Sequence, residues 1–541
     1  VKSIFKSDHQ RRFLVTLSMS TAILVGLSFP PIPFGLLACI GLVPFLVMAD
    51  TIKTYGRFFR YSYFTFFLLS LVSLYWVGGF THLNDPYLMI AGTALFLWEP
   101  LVLSIPAMVY FFVRKNLPYK FSLLSFPFIW IAMEWLYALG ELAFPWLHLG
   151  NTQTYQLEKI QYADITGVYG ISFWVLIINV LVYLLVQSVQ TGTRTKKQYY
   201  LAAAILGIYI APNFYTAPEI PYAGSEGKGI NVGIIQPNIN PWNKWEGANT
   251  FEGRWSQVQS YMQLMEKHIN DSLDIIVLPE SAILLNLPQH VEQMEAFKRT
   301  VNKVNAAVVT GYVRIKFYDQ HSAPATSSVL KGTTMRYDSF NSILFVQPHL
   351  DTLQTYSKMR LVPFAERIPY ADHVPFLIEP LRWGVGISNW GLATDSTVFS
   401  STKLGTKFLA MVCYESIFPE FVSLFVKKGA EFLVFTTNDS WWGNTSGARQ
   451  HNQYAVLRAI ENRRWVVRCA NGGISSFIDP TGQMYDKTEM YTEAYIHRTI
   501  QPYSALTFYS KHGDWFARIC SSIALLFFLF SIGYTIVRKV K

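Results

Sequence analysis

Hydrophobic residues in this chain come in blocks, and the block pattern limits its fold more than any single motif. Apolar runs lie near 13–29, 33–49, 61–80, 87–112, 121–139, 166–189 and 199–211, with a last one near 516–537. A helix needs about 20 apolar residues to cross a hydrocarbon core, with about 17 as the lower limit. Most runs reach or approach that length; 199–211 is the shortest. Residues 213–512 instead alternate strand-like and helix-like segments, as in a water-soluble domain. The expected architecture is an α-helical membrane bundle of about eight spans plus an α/β extracytoplasmic domain. Its parts are 1–212 with seven spans, 213–512, and 513–541 with the final span and tail. The charged fraction of 15%, against about 25% in soluble proteins, reflects the apolar blocks.

Basic residues orient the spans. Lys2, Lys6, Arg11 and Arg12 precede the first run; Lys53, Arg57 and Arg60 follow the second. Arg114, Lys115 and Lys120 follow the fourth, Arg194, Lys196 and Lys197 precede the short run, and Arg538, Lys539 and Lys541 end the chain. The intervening connections hold almost no Lys or Arg. Cationic loops stay cytoplasmic, so both termini are expected there and 213–512 outside, provided the short run spans. The net charge of +10 is then topogenic, and no basic stripe with aromatics suggests nucleic acid. The first run, behind a basic stretch and without a small-residue cleavage site, reads as an uncleaved anchor.

Glu99 and Glu134 fall within apolar runs, beside tryptophans. A carboxylate at membrane depth points to function; an interfacial position is the other reading. The stretch 140–151, GELAFPWLHLGN, reads as an aromatic membrane-surface loop. The four cysteines, Cys39, Cys413, Cys469 and Cys520, match no metal or disulfide spacing.

Within 213–512, strands are expected at INVGIIQPN, DIIVLPE, AAVVTGYV, SFNSILFVQP, LDTLQTYSK, KFLAMVCYE, EFLVFTTND, WVVRCANGG and ISSFIDP. Helices are expected near 254–269, 290–304, 417–428 and 448–463. Segment 316–338 is polar and reads as a surface insertion. Segment 361–400 carries Phe364, Tyr370, Phe376, Leu377, Trp383 and Trp390, and its length suits a lid or binding loop. Three reactive groups end strands: Glu280, Lys358 and Cys413. A thiol attacks acyl groups as its thiolate. A buried carboxylate is a suitable base, and an ammonium can hold the developing oxyanion. Spacing alone leaves Glu280 and Lys358 open as a surface cap and a solvated charge.

The flanking words LPES, YSKMRLVPFAERIP, MVCYESIFPE, NDSWWG and ARQHNQYAVLRAIENRRWVVRCANGG, with FPWLHLG in the apolar part, resemble the nitrilase superfamily. More closely they resemble its membrane-bound branch, the apolipoprotein N-acyltransferases. The resemblance implies a nitrilase-like αββα sandwich and a Glu280, Lys358, Cys413 triad. It implies supporting roles for Glu366, Tyr414 and Glu415. Trp245, Asn438 and Trp441 are implied at the substrate path, with Asp439 in the same word. The chain departs from the family at Ala365, where glycine is usual, and at Leu136 and Tyr137, where an arginine often stands nearby. The implied reaction moves an acyl chain from a membrane phospholipid, through a Cys413 thioester, to the α-amino group of a diacylglyceryl-modified apolipoprotein. It would take place at the bacterial inner membrane, without metal or cofactor, in a chain expected to be a monomer. The rivals are a membrane-anchored amidase and a protein that only binds lipid or lipoprotein.

Overall fold

The computed structural model describes residues 2–79, 86–190, 195–217, 229–246, 249–319, 322–330, 332–373, 376 and 390–540. Leu377 and Trp383 lie outside the described residues. The chain forms two compact units: Val1–Leu139, Phe144–Pro218 and His512–Lys541 in one, Gly140–Ala143 and Glu219–Lys511 in the other.

The first unit is helical. Three helices are long and apolar enough to cross a membrane: Met89–Asn116, Ala163–Gln190 and Trp515–Arg538. The run at 33–49 does not form one continuous α-helix. It folds as a 3-10 turn and two short helices, Ala38–Gly41 and Val43–Thr51. At the break, the Asn179 side chain accepts the Leu42 N–H at 2.8 Å and donates to the Ala38 carbonyl at 2.8 Å. An interrupted helix in an apolar surrounding survives when a side chain satisfies the freed backbone groups. The helix over the short run, Lys196–Ile210, has 15 residues and no fully buried one. At 1.5 Å per residue it is about 22 Å long, less than the ~30 Å core.

The 140–151 stretch differs from the expected surface loop. Trp146, Leu147, His148 and Leu149 are buried, and Trp146 packs on Trp76 with ring centroids 5.0 Å apart. The aromatic residues fill an interior, and two 3-10 turns, Pro145–Leu147 and Leu149–Gln153, fold them inward. Glu134 reaches this turn, accepting the Leu149 N–H at 2.8 Å, and Glu99 accepts the Tyr137 hydroxyl at 2.8 Å. Both carboxylates are buried within the protein.

The second unit holds thirteen strands among the described residues: β1 (Ile230–Gln236), β2 (Ile275–Val277), β3 (Ala307–Tyr318), β4 (Ser328–Val329), β5 (Arg336–Val346), β6 (Leu353–Ser357), β7 (Phe399–Ser401), β8 (Thr406–Val412), β9 (Leu433–Thr437), β10 (Val466–Ala470), β11 (Ser476–Ile478), β12 (Met484–Tyr485) and β13 (Ala494–Ile500). They form two mixed sheets. One runs β13-β1-β2-β3-β5-β4, with β6 also on β5; the other runs β12-β11-β10-β9-β8-β7. Within them β1-β2-β3 and β8-β9-β10 are parallel. Such strands need crossovers, and the helices Phe251–Glu266, Val291–Val304, Pro419–Lys427 and Ser446–Asn462 supply them. The first two bury Val258, Tyr261, Phe297 and Val301 with Ile276 and Val308 of the first sheet. The sheets touch back to back, where the Cys469 thiol lies 3.6 Å from Ile235 O and 3.5 Å from Val277 O.

The segment 316–338, expected as a surface insertion, is strand at both ends: β3 and β5 pair without a break out to Tyr318 and Arg336, and β4 adds to β5 there. The ends of the polar segment extend the sheet beyond its core. Their residues are polar because that part of the ladder covers nothing apolar.

Candidate active site

Each reactive group sits where a strand stops. Lys358 follows β6 and Cys413 follows β8 directly; Glu280 comes three residues after β2. The Glu280 turn is laced to β3: Gly311 N–H donates to Pro279 O at 3.2 Å, and Ile283 N–H to Gly311 O at 3.0 Å. A Cβ on Gly311 would lie 2.3 Å from Ser281 N, so only glycine permits this approach. Cys413 itself has φ 51°. A non-glycine residue in that region costs about 1–3 kcal/mol, a strain found mostly at functional sites.

The three side chains meet in one buried cluster, with Glu280 reaching both Cys413 and Lys358. Lys358 Nζ is 2.7 Å from Glu366 Oε1 and 3.8 Å from Glu280 Oε1. Asn341, in β5, ties the carboxylates together, donating to Glu280 at 2.7 Å and to Glu366 at 3.4 Å. Glu366 also accepts the Val362 N–H at 2.7 Å, which pins the loop after Lys358. Burial, with Glu366 nearby, raises the Glu280 pKa, although Lys358 opposes it. Burial alone would discharge Lys358, yet Glu366, Glu280 and Cys413 raise its pKa above the usual value. The Cys413 thiol is pushed up by burial and then by Glu280. Burial thus raises the pKa of both the thiol and the Glu280 carboxylate, while the surrounding carboxylates favour the charged ammonium of Lys358.

Glu415 lies underneath, fully buried. It accepts the Tyr356 hydroxyl at 2.6 Å, the Met359 and Arg360 N–H groups at 2.7 and 3.2 Å, and the Val412 N–H at 2.9 Å. One carboxylate thus ties the segment after Lys358 to the strand that delivers Cys413. Tyr414 points away, and its hydroxyl donates to Ala143 O at 2.7 Å.

Of the remaining expected residues, Trp245 lies in the short helix Pro241–Glu246, and Asn438 and Trp441 lie at the start of and within the 3-10 turn Asp439–Trp442. Trp245 packs edge-on to Trp390 with centroids 6.1 Å apart, and Trp441 edge-on to Trp242 at 4.9 Å. The Asn438 amide oxygen accepts from Ser440 and from Asn471, so that side chain braces its own loop. Ala365 is not among the positive-φ residues; Phe364 holds that conformation, at φ 61°. The missing glycine therefore adds no strain.

Sequence reasoning missed several neighbours. Thr437 ends β9, and its hydroxyl faces Cys413 Sγ at 3.3 Å and Asp439 Oδ1 at 2.8 Å. Asp439 Oδ2 is 2.7 Å from the Arg468 guanidinium, and Asp439 Oδ1 is 2.9 Å from His451 Nδ1. His451 Nε2 reaches Cys413 O at 3.2 Å. Lys244 is buried with Nζ 3.5 Å from Glu280 O, and burial lowers its pKa to about 7. A signal for Asn341 was present: it is a polar residue inside the apolar strand SFNSILFV.

Residues 231–506 match the carbon–nitrogen hydrolase model, and residues 21–181 match the apolipoprotein N-acyltransferase N-terminal domain. Over those residues the chain has the fold of the carbon–nitrogen hydrolase class. The apolipoprotein N-acyltransferase of Chlorobaculum tepidum is 33% identical, covering 94% of this chain and 94% of its own. That of Geobacter metallireducens is 31% identical, covering 95% and 94%. The chain belongs to the apolipoprotein N-acyltransferase family.

Proposed function

We propose that the protein transfers a fatty acyl chain from a membrane phospholipid to the α-amino group of a diacylglyceryl-cysteine at the N-terminus of an apolipoprotein, through a thioester on Cys413. The observation that carries this reading is the convergence of Cys413, Glu280 and Lys358 in one buried cluster of a chain with membrane-length helices. Glu280 takes the thiol proton, and sulfur attacks the ester carbonyl. The S–C bond forms, Lys358 holds the oxyanion, and the C–O bond breaks. The departing lysophospholipid oxygen takes the proton from Glu280. In the second half, the amine attacks the thioester, the N–C bond forms and the C–S bond breaks. Glu280 collects the amine proton and returns it to sulfur. Glu366 holds Lys358, while Glu415 and Tyr414 fix the cysteine turn. Trp245, Asn438 and Trp441 belong to the substrate path.

This chemistry suits eight spans, with 1–212 and 513–541 in the bilayer, 213–512 on the periplasmic side and both termini in the cytoplasm. The alternation of Lys and Arg supports that topology, although Lys196–Ile210 must then cross with a short helix. A monomer suffices, because every reacting group comes from one chain.

The test uses the purified full chain and a phospholipid labelled in its acyl chains. The expected result is label on the protein that neutral hydroxylamine releases, absent from Cys413→Ala, and discharged to a diacylated lipopeptide. Discharge to water at the same rate without peptide would make the protein an amidase-like hydrolase. Label that survives Cys413→Ala would end the proposal.

A further inference from the structure

A cleft of about 90 Å³ in the second unit is lined by Arg360, Leu361, Pro363, Leu392, Tyr414 and Phe418, with Gly140 and Glu141. Water takes about 30 Å³ in the liquid, so the cleft has room for a group of phosphate size. The Arg360 guanidinium stands over two rings, 5.5 Å from Phe418 and 5.6 Å from Phe421, and donates a long hydrogen bond, 3.4 Å, to Gly140 O. Among the described residues, no carboxylate pairs with it. The other charges lining the cleft are engaged: Arg367 with Asp372 at 2.9 Å, and Glu141 with the Tyr370 N–H at 2.7 Å. A half-buried cation without a counter-ion is costly to hold, and stacking leaves its N–H fork open for a bidentate acceptor.

Position adds the second argument. Arg360 is two residues from Lys358, its backbone N–H is held by Glu415, and Tyr414 of the cleft wall directly follows Cys413. Glu415 thus holds the backbone N–H of Arg360 and that of Val412, the residue before Cys413, on one carboxylate. We infer that Arg360 binds the phosphate of the acyl donor, a glycerophospholipid, and so selects the donor for the first half-reaction. In such a lipid the phosphate and the acyl esters share one glycerol. A guanidinium that holds the phosphate brings an ester carbonyl to Cys413, and Leu361, Pro363 and Leu392 cover the apolar stems. The inference rests on the proposed acyl transfer.

The test measures single-turnover thioester formation on the full chain from two donors with the same acyl chains, a phospholipid and a diacylglycerol. Wild type is expected to prefer the phospholipid by about tenfold or more, the effect of one hydrogen-bonded charge. In R360Q that ratio falls to near one, and R360K keeps part of it. Inhibition of wild type but not R360Q by glycerol phosphate would assign the site to phosphate in any form. A lost ratio without such inhibition would assign it to the lipid headgroup alone. A phospholipid preference that persists in R360Q, or equal loss with both donors, overturns the inference. Thermal melting and the R360K variant separate loss of fold from loss of selection. Absence of any thioester in wild type would defeat the acyl-transfer reading instead.

Discussion

Two buried charge clusters adjoin Cys413, and they obey opposite rules. In one, Glu280 and Glu366 share the single ammonium of Lys358. In the other, Asp439 alone faces both Arg468 and His451. All these groups are shielded from water. Burial wins at Glu280, whose pKa rises. At Asp439 burial pushes the same way, but Arg468 and His451 overcome it and hold the pKa well below the carboxylate range. The partners, not burial alone, set the direction: the Glu280 carboxylate shares Lys358 with Glu366 and is pushed up, whereas Asp439 faces Arg468 and the His451 ring and is pushed down.

Variants can break this contrast. The largest effect is expected from the first cluster: Cys413→Ala abolishes thioester formation, and Glu280→Gln slows it about 10³-fold, the scale of a lost general base. A Glu280→Gln enzyme within tenfold of wild type, in rapid-quench acylation, would remove the first cluster from proton transfer. Asp439→Asn should act mainly on stability. It strands Arg468 in the interior, which costs about 3–5 kcal/mol, and the melting midpoint should fall by about 10 °C. A variant that melts like wild type but cannot acylate would place Asp439 in the chemistry.

The pH dependence sharpens the same distinction. Acylation should slow as pH falls through the raised pKa of Glu280, because the base becomes protonated. Stability should follow the second cluster. Burial lowers the His451 pKa from 6.5, and Asp439 lies below its ordinary 3.8. In both, the unfolded chain takes up protons first, so folding is favoured above those values and weakened as pH drops below each. In chemical melts from pH 8 to 4, the stability of wild type relative to His451→Gln should be constant above about 6.5 and decline below. A relative stability of wild type that grows on acidification would contradict the assignment. The smallest effect belongs to Thr437→Val, which removes the hydroxyl facing the sulfur. Acylation should drop by about three- to tenfold, read in the same quench assay with little change in melting.

Much of this was legible in the chain. Glu280, Lys358 and Cys413 stood out because strands end there, and a strand end is a local, period-two signal. The helices Phe251–Glu266, Val291–Val304, Pro419–Lys427 and Ser446–Asn462 lay close to their expected places for the same kind of reason. The error came where local composition misleads. Residues 316–338 are polar because β3 and β5 outrun the core they share there. Residues 140–151 looked like a surface loop because aromatic residues suit both membrane interfaces and interiors. Thr437, His451 and Arg468 were invisible because nothing near them in sequence marks their common neighbour.

The sequence by itself determined the division into apolar blocks and an α/β part, and the residue types able to run acyl transfer. Those depend on side-chain chemistry and short-range periodicity, which a linear chain displays directly. Only the tertiary structure decided the balance of charge around the thiol. It set two carboxylates against one ammonium at Glu280, brought Asn341 and Glu415 in as ties, and left Arg360 without a counter-ion among the described residues. Electrostatics in a buried site depends on distances of 3–4 Å, and these join residues tens to hundreds of positions apart.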